Sequence, residues 1–359
     1  MGDNVRIQAA RRLLEQLGVD AVLIDKQVDL EYLTYDNVSS GKLLISQGSA
    51  TLYVALIDKD MYPSVPGVEV VVCAPKYMRA FADKIRGKYA RLGFDGAETS
   101  YRSFHDLSSL DCELVPLSFF SEQLRAVKDR EEIEVMREAA SLGSRGWDYV
   151  LSLLREGVSE KDLAHALHIF WVKEKAEGFS FDPIIAFGAN AALPHAKPSD
   201  RKLAKGDIII VDIGVKWRGY CSDMTRTVAF GEPLEELSVA YSAVAEAQEA
   251  GISACREGAL CGDVHNEVVS ILESRGLKEF FIHGTGHGVG REVHEYPYLS
   301  VANATSFVPL QPGMIVTVEP GLYFPGKGGI RLEDSILITK DGAVSITNRA
   351  VSKEIPILN

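Results

Sequence analysis

The sequence predicts an α/β N-terminal domain with a mixed sheet over residues 1–125, followed by an α+β domain over 126–359 that holds an internal pseudo-two-fold repeat. Three observations predict this. Before residue 125, short apolar strand segments alternate with helical ones, the pattern of an α/β layer. After 128, long helical periodicity is interleaved with strand pairs. Within that second part, GDIIIVDIG (206–214) aligns with GMIVTVEPG (313–321). Each is a Gly-led apolar strand ending in a carboxylate, Asp212 in the first and Glu319 in the second. Asp223 then follows Gly219 by four residues, as Glu333 follows Gly329, and each precedes a β-prone stretch.

The first elements are simple to place. MGDNVRIQAARRLLEQLG reads as an amphipathic helix, without the apolar core of a signal peptide. Met1-Gly2 suggests myristoylation, but Arg6 stands where that signal needs Ser or Thr. VDAVLID is a buried strand, and KLLIS and ATLYVAL flank a tight turn at Gln47-Gly48. VEVVVCAP is a further strand, followed by an amphipathic helix from about 76 to 88, and RLGFDG and CELVPLS complete the sheet. The lone His105 reads as a surface residue.

The second domain opens on a helix over KDREEIEVMREAASLGSRGWDYVLSLL. Another starts at Ser159 and carries His165 and His168 at a spacing of three, with few carboxylates nearby to complete a metal site. Helices near 233–256 and 262–275 follow.

Chemistry concentrates in Asp212, Asp223, His287, Glu319 and Glu333. Each sits in apolar or Gly-rich sequence, where an unpaired buried charge costs several kcal/mol or is neutralised by a pKa shift. Four converging carboxylates would repel one another, and two divalent cations would cancel their charge. Four oxygen-donor residues and one imidazole form the inventory of a two-metal hydrolytic centre. Oxygen-rich ligation suits Mn²⁺, with Co²⁺, Zn²⁺ and Fe²⁺ left open. The stretch GTGHGVG does not fit a dinucleotide loop, because the sixth position of GxGxxG is Val289 or Arg291. Its glycines are expected to give His287 backbone angles that other residues resist.

Bulk properties bound the rest. A net charge of −12 argues against a nucleic-acid partner. No apolar run approaches the length of a membrane span. Five scattered cysteines without a CxxC fit reduced thiols and a cytoplasmic location, and Cys221 reads as a packed strand residue.

Taken jointly, VDIG, SDMTRT, HGTGHGVGREVHEYP, VEPG and RLED resemble the pita-bread metallopeptidases, within them the Xaa-Pro aminopeptidase and prolidase branch. PHAKPSD, with His195, fits that family's substrate-side histidine. The resemblance implies a pita-bread catalytic domain and metal-assisted hydrolysis of proline-containing peptides. By it, Asp212 binds one metal, His287 and Glu319 the other, and Asp223 and Glu333 bridge them. Glu319 is implied as proton shuttle, His294 and His283 as donors to the intermediate or substrate backbone, and His195 as a substrate contact. Arg331 would orient Glu333 or bind substrate. The family also implies Mn²⁺ and a homodimer. Similar prolidases place an arginine just after HExP, where this chain has Tyr298, so an Xaa-Pro aminopeptidase is expected first and a dipeptidase second. A non-catalytic peptide-binding module is the remaining alternative, but such modules generally lose metal ligands and all five are present here.

Overall fold

The computed structural model describes residues 4–35, 38, 40–62, 65–73, 81, 82, 84–302, 304–347 and 349–359. The chain divides into two compact units, Met1–Arg125 and Ala126–Asn359.

In the first unit, helix Val5–Leu17 begins at Asn4, whose side chain accepts from the amides of Arg6 and Ile7, and ends at Gly18 in the left-handed region. Six strands follow: β1 Ala21–Ile24, β2 Lys42–Ser46, β3 Ala50–Ala55, β4 Glu69–Cys73, β5 Arg91–Asp95 and β6 Glu113–Leu117. They form one sheet in the order β4-β3-β2-β1-β5-β6. The β1–β2 and β2–β3 pairs are antiparallel, and β3–β4, β1–β5 and β5–β6 are parallel, so the sheet is mixed. Alternation along β1 sends Val22 and Ile24 into the core under the N-terminal helix, and Ala21 and Leu23 into the core on the opposite face. The turn at Gln47-Gly48 joins β2 to β3, with the Ser46 amide donating to the Ser49 carbonyl at 2.8 Å. Much of the helix expected over 76–88 lies outside the described residues, as do residues 1–3. His105 is exposed on helix Tyr101–Leu107.

The second unit opens on helix Arg130–Leu153, closed at its start by reciprocal hydrogen bonds between Asp129 and Glu132. Helix Glu160–Lys173 starts on the same device, Ser159 with Asp162. His165 and His168 on it are exposed. Two further helices are Glu235–Ala254 and Cys261–Ser274. The remaining strands are β7 Gly178–Phe179, β8 Ile184–Phe187, β9 Asp207–Ile213, β10 Val215–Trp217, β11 Tyr220–Cys221, β12 Met224–Phe230, β13 Gly286–Gly288, β14 Glu295–Leu299, β15 Ile315–Val318, β16 Gly321–Phe324, β17 Gly328–Arg331, β18 Asp334–Thr339, β19 Gly342–Ser345 and β20 Ile357–Leu358.

Two sheets carry the repeat. One is ordered β20-β12-β9-β8 and the other β14-β13-β15-β18-β19. In the first, β9 pairs antiparallel with β12; in the second, β15 pairs antiparallel with β18. Each pair is bridged by a small excursion, β10–β11 in one and β16–β17 in the other. β9 and β12 are buried along almost their whole length, which explains the apolar run IIIV of β9 and requires the Thr225, Arg226 and Thr227 side chains of β12 to be hydrogen-bonded.

The two halves clasp where the carboxylates emerge. The Glu333 amide donates to the Thr225 carbonyl at 3.1 Å, and the Ser335 hydroxyl donates to the Asp223 carbonyl at 3.0 Å. Thr227 Oγ1 accepts from the Arg331 amide and donates to its carbonyl, at 3.1 and 2.8 Å. Beneath them the buried pair Arg226–Asp334 closes at 2.7 Å, and Gln248 donates to the second Asp334 oxygen. A buried pair of unlike charge, with both terminal guanidinium nitrogens and both carboxylate oxygens engaged, fixes the register of the two hairpins.

Candidate active site

The repeat places its four carboxylates at equivalent points. Asp212 lies near the end of β9 and Glu319 directly after β15. Asp223 directly precedes β12, and Glu333 directly precedes β18. His287 is the middle residue of β13. These five, with His195, His283, His294 and Arg331, all line one cavity of about 540 Å³.

Ligand atoms of Asp223, His287 and Glu333 lie within 4.8 Å of one another, and all three residues are buried. His287 Nε2 lies 3.3 Å from Glu319 Oε1 and 3.7 Å from Asp223 Oδ2. Asp212 and Glu319 stand outside that mutual triad. The His287 ring is oriented by its other nitrogen, which lies 3.1 Å from the Gly288 carbonyl. Nδ1 therefore carries the proton and Nε2 is left as a lone-pair donor toward the carboxylates.

The glycines flanking His287 serve strand packing. A Cβ on Gly286 would overlap the Thr317 carbonyl of β15, and one on Gly288 would overlap the Tyr296 carbonyl of β14. Neither glycine has positive φ. The expectation of unusual backbone angles is thus corrected to close approach of three strands. The ladder shifts register between His287 and Gly288, the irregularity that re-aims the imidazole.

Arg331 organises the other side. Its Nη2 donates to Asp212 Oδ2 at 2.5 Å, Nη1 to the Tyr323 hydroxyl at 2.8 Å and Nε to Thr225 Oγ1 at 3.2 Å. Thr225 in turn donates to Glu333 Oε2 at 2.6 Å. Arg331 thus reaches Glu333 through Thr225, while its Nη2 takes Asp212. His283 closes the chain. Its Nδ1 lies 2.7 Å from the Gly284 carbonyl, and its Nε2 lies 2.9 Å from the Tyr323 hydroxyl. Nδ1 donates to the carbonyl and Nε2 accepts from the phenol, so both ring nitrogens are engaged inside the protein. Burial pushes His283 down to about 4, which matches this neutral form.

Electrostatics report a shortage of positive charge. Burial and then the neighbouring Glu333, Asp212 and Glu319 drive Asp223 well above the usual carboxylate range. Burial, then Glu319 and Asp212, do the same to Glu333. Removal from water lifts Glu319 to about 8, with Arg331 opposing. Burial, with His294 beside it, pushes His287 down to about 3. Oδ1 of Asp212 is buried with no hydrogen-bond partner. An orphaned carboxylate oxygen beside three under-compensated acids and an imidazole lone pair is a donor set that fits divalent cations.

His294 is exposed to the cavity, with its ring edge-on to His287 at 4.3 Å. Burial lowers its pKa, opposed by Asp212. His195 is exposed on the loop after β8. Glu160 holds that loop. Fully buried, its carboxylate accepts from the amides of Phe187 and Ser199, both at 2.8 Å, and from the side chains of Asn190 and Ser199. Sequence reasoning did not single out Glu160, Tyr323, Thr225 or Lys197. The signals available were PHAK beside His195 and GLYF beside Glu319. Cys221 is buried in β11, with Sγ 3.6 Å from the Arg291 carbonyl. None of the five cysteines is in a disulfide.

Fold and site together define a metallopeptidase. Residues 134–340 match metallopeptidase family M24, and residues 6–127 match the creatinase/prolidase N-terminal domain. The chain belongs to family M24. It is 31% identical over 345 residues to the Xaa-Pro dipeptidase of Pyrococcus furiosus, covering 95% of this chain and 97% of that one. The solved Xaa-Pro dipeptidase from Bacillus anthracis superposes with a TM-score of 0.92 at 34% identity, over 99% of each chain. The X-Pro aminopeptidase from Thermotoga maritima superposes with a TM-score of 0.82 at 31% identity, over 96% of this chain and 99% of that one. Among the described residues no helix is long and apolar enough to cross a membrane.

Proposed function

We propose that the protein is an Xaa-Pro dipeptidase that hydrolyses the bond before proline with a pair of divalent metal ions. The observation that carries the reaction class is the convergence of Asp223, His287 and Glu333, with Glu319 and the unpartnered Asp212 oxygen at its edge. The substrate rests on full-length relatives named Xaa-Pro dipeptidase. They favour the dipeptidase over the aminopeptidase that Tyr298 suggested, which corrects the order of the two readings.

Asp212, Asp223, His287, Glu319 and Glu333 would hold the metals, with Mn²⁺ first among the ions that oxygen-rich ligation suits. Bound metal would supply Lewis-acid activation of water and of the scissile carbonyl. The protein's own residues do the rest. Glu319 moves a proton from the attacking water to the leaving proline nitrogen. His294 donates to the developing oxyanion. His195 contacts the prolyl side of the substrate. His283, with both nitrogens engaged, positions Tyr323 and through it Arg331, in place of the direct donor role expected from sequence. A cytoplasmic homodimer completes the proposal.

The test is proline release from an Xaa-Pro dipeptide by Mn²⁺-loaded protein, beside an Xaa-Pro-Yaa tripeptide and a chelated control. Dipeptide cleavage that stops on chelation supports the reading. Cleavage of the tripeptide alone returns the assignment to an aminopeptidase.

A further inference from the structure

A dipeptide brings a full negative charge within one residue of the bond being cut. Two divalent ions would be matched in charge by Asp212, Asp223, Glu319 and Glu333, and Asp182 also lines the cavity, so the dipeptide's carboxylate needs a cation of its own. Among the described residues, two of those lining it are Lys or Arg: Arg331 and Lys197. Arg331 is 3% exposed, and each of its guanidinium nitrogens already donates to a protein oxygen. Lys197 differs on every count. It is exposed at the cavity and makes no ion pair among the described residues. It stands two residues after His195, on the loop that buried Glu160 pins at both Phe187 and Ser199. The ammonium is thus carried on a fixed stretch of backbone with its charge uncommitted.

We infer that Lys197 is the specificity-determining cation of this pocket, holding the C-terminal carboxylate of an Xaa-Pro dipeptide. The inference rests on the dipeptidase reading and deepens it. An ammonium has three donors and no acceptor, so it recognises a carboxylate as a point charge without demanding one geometry. A peptide continued or capped beyond proline lacks that charge and gains nothing from Lys197. The residue therefore sets a preference for dipeptides over longer or amidated substrates.

The experiment compares an Ala-Pro dipeptide with its C-terminal amide, on wild type and Lys197→Met, which keeps an apolar stem and drops the charge. The expected result is a collapse of the dipeptide-over-amide ratio of kcat/KM by about tenfold, carried by KM for the dipeptide. Lys197→Arg should restore the ratio, and Lys197→Glu should depress it further. An equal change on both substrates, or no change in the ratio, overturns the inference while leaving a dipeptidase. Cleavage of neither substrate by metal-loaded wild type overturns the dipeptidase reading and this inference with it.

Discussion

Arg331 donates to one oxygen of Asp212 at 2.5 Å and leaves the other oxygen of that carboxylate buried without a partner. The contact splits one side chain into an oxygen held by the protein and an oxygen left free for a ligand. It also shows why a cation so deep in the fold can be present without neutralising the site: it reaches Asp212, while Glu333 is reached only through Thr225.

Arg331→Leu should therefore be among the most damaging single changes. It leaves the buried Asp212 without its ion-pair partner, while the Tyr323 hydroxyl keeps its bond to His283. Removing one partner of a buried ion pair costs about 3–5 kcal/mol. Denaturant unfolding of metal-free variant and metal-free wild type would measure this, and near-wild-type stability would show that Asp212 finds another protein partner.

Chelation should lower thermal stability together with activity, because the carboxylates then face one another uncompensated. Metal at a thousandfold over its Kd contributes about 4 kcal/mol through linkage. A thermal scan with and without chelator, followed by Mn²⁺ add-back, checks it. An unshifted melting curve would mean that the cluster does not hold metal.

Glu319→Gln should lose ~10²-fold or more in turnover, the scale of general acid–base assistance. His195→Ala should lower activity while metal content, read by elemental analysis, stays at the wild-type level. Loss of metal in the His195 variant would move that residue from the substrate to the ligand set.

His283 supplies a pH dependence with a defined sign. Burial lowers its pKa from the usual 6.5 to about 4, so the unfolded chain binds the proton more readily between those values. Stability is full above pH 6.5 and falls as the pH drops toward 4, by about 3 kcal/mol in total. His283→Phe removes this component. The difference in unfolding free energy between wild type and variant should shrink as the pH falls from 7 to 4.5; a constant difference would mean that His283 is protonated in the fold.

How much of the site could be read in advance follows from what each residue does locally. Asp212 is legible because a carboxylate closing the run IIIVD has no local reason to be there. Its match to Glu319, and the Gly-spaced match of Asp223 to Glu333, exposes the two hairpins before any coordinate is known. Glu160 is illegible because an acid in the first turn of a helix is ordinary, and its work is done on an amide 27 residues away. Thr225 and Arg331 are separated by 106 residues and carry no shared pattern.

Sequence by itself determined which residues are buried and which carry charge into apolar surroundings, because periodicity and turn chemistry act through neighbours along the chain. It thereby determined the mixed sheet, the repeated hairpins and the carboxylates that meet in one cavity. Tertiary structure alone decided the partners: Arg331 directly with Asp212 and through Thr225 with Glu333, His283 turned inward onto Tyr323, the glycines around His287 as packing contacts, and Lys197 set at the cavity with its charge uncommitted. Those choices depend on distances between strands and loops far apart in the chain. Only the folded register determines which of several possible hydrogen-bond partners comes within about 3 Å.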